Sequence, residues 1–152
     1  MHDHPIPILT PLAVGAIPTM CSIFIHALAL GATINFVRFE KRLGRLSVNY
    51  WRDLSIVVLV MVFAFTAHLV EIALWAWLFM ICGEFQDFRM AYYHSAVNYT
   101  TLGYGDIVMS PSWRLLGPIE AGNGALMFGV STAMIFAVIQ RLVEARFVEL
   151  RD

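Results

Sequence analysis

Between Leu54 and Ile81 the chain carries only two ionisable side chains, His68 and Glu71. A transmembrane helix needs about 20 mostly apolar residues to cross about 30 Å of hydrocarbon, and this run exceeds that with room for tilt. Two further runs qualify, Pro18 to Val37 and Pro118 to Ile139. The 152 residues are 59% hydrophobic and 14% charged, against about 45–50% and about 25% in a soluble domain. A core this small cannot hide the surplus, so lipid must solvate it. Backbone groups in lipid must bond within their own segment, which predicts an all-α integral membrane protein with three spanning helices.

The first run does not read as a cleaved signal. Its leader, Met1-His2-Asp3-His4, holds no Lys or Arg, and a dense positive cluster follows the run. Pro5, Pro7 and Pro11 predict an extended leader over residues 1–17, with Pro18 opening the helix, where its missing N–H costs nothing. Charge orients the three spans. Arg38, Lys41, Arg42, Arg45 and Arg52 join the first two, and Arg141, Arg146 and Arg151 follow the third. The leader has no Lys or Arg, and the segment between the second and third spans has only Arg89 and Arg114. The positive-inside rule puts the N-terminus outside and the C-terminus in the cytoplasm of a cell (inner) membrane.

The outer segment between Gly83 and Gly117 carries the chemistry. Ala91 to Thr100 reads as a short re-entrant helix, followed by Thr101-Leu102-Gly103-Tyr104-Gly105-Asp106. Potassium sheds its water only where a ring of backbone carbonyls replaces it. Such a lining needs a backbone that flips between residues, and glycine reaches positive φ without steric cost. Gly103 and Gly105 meet that need. Leu102 and Tyr104 are expected to pack behind the filter, and the Thr101 hydroxyl to add an oxygen at its inner end. Irregular backbone at membrane depth persists only where it lines a pore or is buried in protein.

This run resembles the potassium-channel signature TVGYG, with Leu102 where that pattern has Val. The similarity extends over Leu54 to Leu142 and is to the prokaryotic two-helix pore-loop channels, with one extra leading helix. It implies a homotetramer conducting K+ through Thr101, Leu102, Gly103, Tyr104 and Gly105, with Asp106 at the outer mouth and Glu84, Asp87 and Glu120 further out. Gly124 and Gly129 have the spacing of the inner-helix hinge and packing glycines. Ala125, Phe128, Thr132, Phe136 and Gln140 are placed toward the axis, Thr132 in the cavity and Phe136 at the gate. Where some of these channels carry a pore-helix glutamate, this chain has Val97. Tyr93 and His94 stand for the aromatic pair, so Tyr93, Asn98, Tyr99 and Thr100 are the expected support behind the filter.

His68 and Glu71 share a face at i, i+3. Ionisable residues at membrane depth mark function; Glu71 is expected to brace the pore helix, or else to form a structural pair with His68. His26 reads as a packing or hydrogen-bonding residue, His2-Asp3-His4 as a plain tail, and Cys21 and Cys82 as small buried hydrophobes. No helix carries the Arg ladder of a voltage sensor, the net charge of -1 argues against nucleic acid, and the residues after Arg141 leave no room for a cytoplasmic ligand-binding domain. The expected organisation is a leader over 1–17, the extra helix and basic loop over 18–53, a pore domain over 54–142 and a cytoplasmic tail over 143–152. The alternatives are a weakly selective cation channel, a membrane enzyme using His68, Glu71 and His94, and an accessory subunit.

Overall fold

The computed structural model describes residues 7–43 and 49–149; His2-Asp3-His4, Pro5, Arg45 and Arg151 lie outside them. The described residues contain four helices and no strand: α1 Leu9–Arg42, α2 Tyr50–Ile81, α3 Phe88–Tyr99 and α4 Leu116–Glu149. α1, α2 and α4 are long and apolar enough to cross a membrane. α1 begins well before the expected start. Pro11 falls in its first turn, where no N–H is required, and Pro18 lies inside it. A membrane helix tolerates an interior proline because neighbouring helices re-satisfy the freed carbonyl. α4 likewise continues to Glu149, through most of the expected tail.

The chain divides into two compact units, Met1–Phe24 with His68–Phe128, and Ile25–Ala67 with Gly129–Asp152. The first is built around Ile72, Trp75 and Phe79 of α2, Tyr99 of α3, Met109, and Leu116 and Met127 of α4. In lipid, helices associate through close packing and hydrogen bonds rather than hydrophobic burial. α1 therefore meets α4 at small and polar residues. A Cβ on Gly15 would stand 3.2 Å from Ile119 and Leu116, and the Asn123 amide donates to the Ser22 hydroxyl at 3.0 Å.

In the second unit Ile56, Val60 and Ala64 of α2 pack with Met134, Val138 and Leu142 of α4, and Phe36 and Val37 of α1 lie against them. The spacing of four on both helices gives matching ridges. His26 Nε2 is 3.0 Å from the Ser131 hydroxyl, so this histidine is a hydrogen-bonding residue. Arg52 pairs with Glu40 at 3.3 Å and Arg146 with Asp53 at 2.9 Å. Cys21 is exposed and Cys82 half-buried, both free thiols; an apolar thiol on the outer face of a membrane helix needs no burial.

Candidate functional site

The Asp87 carboxylate opens α3 by accepting from the Arg89 N–H at 3.0 Å. The helix ends at Tyr99, and the chain then folds back over its own last turn. Thr101 N–H donates to the Asn98 carbonyl at 2.8 Å, and the N–H groups of Leu102 and Gly103 both donate to the Val97 carbonyl, at 3.0 and 3.2 Å. The Thr100 hydroxyl donates to the Ala96 carbonyl at 2.7 Å. From this anchor the backbone alternates. Thr101, Gly103 and Gly105 have φ of 60°, 59° and 71°, while Leu102 and Tyr104 between them stay negative. For a β-branched residue a positive φ is an outlier, and Thr101 is the described non-glycine residue that adopts it. Leu102 and Tyr104 are exposed in the single chain, at 55% and 65%. The packing expected for these two side chains therefore has no counterpart within the chain.

Beyond the run the chain is tied back to α3. The Tyr93 hydroxyl donates to Asp106 at 2.7 Å, a bond that pushes the Tyr93 phenol up and keeps it a donor. His94 Nδ1 meets the Ile107 carbonyl at 3.1 Å, and the Asn98 amide donates to His94 Nε2 at 2.9 Å. Together these fix the neutral Nδ1–H tautomer, and burial pushes the imidazole below its ordinary range.

α3 is held from two sides. The Tyr99 hydroxyl donates to the Glu71 carboxylate and lies 3.0 Å from His68 Nδ1. His68 is 3.8 Å from Glu71, and both are buried. Phe128 packs on the His68 and Tyr99 rings, with centroids 4.6 and 5.6 Å away. On the other side Gly124 touches the Tyr99 carbonyl, so that any Cβ there would collide with backbone. Gly124 is thus a close-approach position, whereas a Cβ on Gly129 would meet nothing, and α4 runs unbroken through both. Ala125, Phe128, Thr132, Phe136 and Gln140 are all exposed along α4.

The three acids expected further out than Asp106 each have a partner, and of them Glu120 does not face outward. Asp87 caps α3. Glu84 accepts from the Ser110 N–H and hydroxyl at 2.7 and 2.6 Å. Glu120 is fully buried, 2.5 Å from the Ser95 hydroxyl. Neither Ser95 nor a buried Glu120 was foreseen. The available signal was the stepping of α4: Glu120, Asn123, Met127, Ser131, Met134, Val138 and Leu142 recur every three or four residues and are all buried.

A family model described as "Ion channel" matches residues 55–141, which take in nearly all of α2, then α3, the alternating run and most of α4. No curated protein and no solved structure gives a match.

Proposed function

Because the chain belongs to the ion channel family, we propose that it is one subunit of a homotetrameric, potassium-selective channel in a cell membrane. The family is not one of enzymes, and the reading of His68, Glu71 and His94 as a catalytic site is set aside with it. The observation that carries the proposal is the left-handed backbone at Thr101, Gly103 and Gly105, on alternate residues of the TLGYG run.

Successive peptide planes that turn in this way can aim their carbonyls to one side, where an extended strand alternates them. Four such segments around an axis would surround an ion with oxygens and replace its hydration shell. K+ is the transported ion, bound in passing at Thr101, Leu102, Gly103, Tyr104 and Gly105. One run per chain cannot close that ring, and the exposed Leu102 and Tyr104 suit contact with neighbouring subunits. Tyr93, Asn98, Tyr99, Thr100, Glu71 and His68 support the filter from behind. The exposed face of α4 with Thr132 and Phe136 would line the cavity below, and Gln140 its cytoplasmic end. The Lys and Arg distribution supports an outer N-terminus and a cytoplasmic C-terminus.

The test is flux. The purified chain, reconstituted alone into vesicles loaded with K+, releases it when an ionophore lets a counter-ion move. Equal K+ release from protein-free vesicles, equal loss of choline from choline-loaded vesicles that hold the protein, or no release at all would refute the proposal. Release only after addition of a second membrane protein would favour the accessory-subunit reading.

A further inference from the structure

His94 is buried on α3, and its imidazole sits between two phenyl rings. Their centroids lie 5.5 Å away for Phe79, near the end of α2, and 5.1 Å away for Phe85, in the loop that follows. Both ring nitrogens are engaged. Nδ1 lies 3.1 Å from the Ile107 carbonyl, which can only accept, so Nδ1 carries the hydrogen. Nε2 lies 2.9 Å from the Asn98 amide nitrogen, which can only donate, so Nε2 presents its lone pair. The ring is thus a neutral imidazole held in one tautomer.

Ile107 is the second residue after Gly105, where the chain leaves the TLGYG run. Asp106 before it is held by its side chain, through the Tyr93 hydroxyl at 2.7 Å, which leaves its peptide groups to turn. The His94 bond is to a main-chain carbonyl and so fixes a peptide plane. We propose that neutral His94 is a positioning residue, which fixes the peptide plane at the outer exit of the filter through the Ile107 carbonyl. This rests on the channel reading of the TLGYG run. Filter carbonyls select by their aim, and a plane left loose beyond Asp106 loosens the planes behind it.

Protonation undoes the arrangement. A hydrogen on Nε2 would face the hydrogens of the Asn98 amide, and the present bond would be lost. The new charge would also lie between Phe79 and Phe85, which offer it no hydrogen bond. Burial holds the ring neutral, against the Ile107 carbonyl and the carboxylates of Asp106 and Glu84. Those two acids are themselves engaged, by Tyr93 and by Ser110.

The experiment compares full-length wild type with His94→Phe and His94→Asn, each reconstituted in planar bilayers after native mass measurement. The readout is the K+ over Na+ permeability ratio from reversal potentials. Both solutions are stepped together from about pH 8 to about pH 5, which brackets the ordinary imidazole value. Phenylalanine keeps a ring between Phe79 and Phe85 but has no nitrogen. At the alkaline end His94→Phe lowers the ratio about tenfold, the factor given by one hydrogen bond near the top of its ordinary range. Asparagine keeps a donor close to the place of Nδ1 and does not titrate. His94→Asn therefore restores the ratio and holds it level as pH falls, while the wild-type ratio declines. Asp106 and Glu84 are present in all three proteins, so their own titration cancels in the comparison. An assembled His94→Phe channel with the wild-type ratio would overturn the proposal, and so would a His94→Asn channel as impaired as the phenylalanine variant. If His94→Phe does not assemble, the pH profiles decide. A decline in wild type that is absent from His94→Asn supports the proposal, and matching profiles overturn it. A wild type that fails to select K+ at the alkaline end refutes the channel reading instead.

Discussion

Thr101 holds a backbone conformation that costs a β-branched residue about 1–3 kcal/mol, and its N–H bond to the Asn98 carbonyl helps to hold it there. Gly103 and Gly105 adopt the same region freely. A Cβ on Gly103 would meet no neighbouring atom within the chain, so substitution there isolates the backbone preference from packing. Gly103→Ala should lose K+ over Na+ discrimination, at a conformational cost of about 1–2 kcal/mol per subunit, as read from reversal potentials. His94 makes a separate prediction. Its folded form is neutral and its proton affinity lies below that of the unfolded chain, chiefly through burial, opposed by the Ile107 carbonyl and the nearby Asp106 and Glu84. The stability it contributes is therefore complete above about pH 6.5 and is lost as pH falls through the depressed folded value. Thermal unfolding of the purified protein should show an acid-side loss that is smaller in His94→Asn.

At the scale of elements, α3 is a short helix clamped between two long ones. Tyr99→Phe removes the hydroxyl that joins Glu71 and His68 and should cost about 1–3 kcal/mol, seen as a lowered unfolding midpoint. The clamp was half legible. His68 and Glu71 stand out as ionisable groups in an apolar run, and their i, i+3 spacing puts them on one face. Their partner Tyr99 is 28 residues beyond Glu71, and no local rule names it. Helix ends were less legible, because Pro11 and Pro18 look alike in sequence whether they end a leader or sit in a membrane helix. Glu120 was misread for a related reason. An acid close to a loop reads as solvent-facing until the stepping of α4 places it on the buried side. The opposite side of α4 leaves Phe136 65% exposed. If four such rings close the pore by dewetting, Phe136→Ala should raise resting K+ flux without changing selectivity.

On the scale of the whole molecule, the surplus of apolar surface that made lipid necessary is visible as exposed large side chains along α1, α2 and α4. Composition and run length made the membrane class legible because both are sums over many residues. Assembly is different: Leu102 and Tyr104 are exposed in the single chain, and no local sequence pattern names a partner for them. A native mass in mild detergent should be four times that of the 17.1 kDa chain. The most direct test of the central claim is the reversal potential of that reconstituted protein with K+ on one side of the bilayer and Na+ on the other. Selection by the carbonyls of Thr101 to Gly105 predicts a reversal potential far from zero, in the direction set by K+ leaving its own side. A reversal near zero, with currents of similar size carried by either ion, would contradict it.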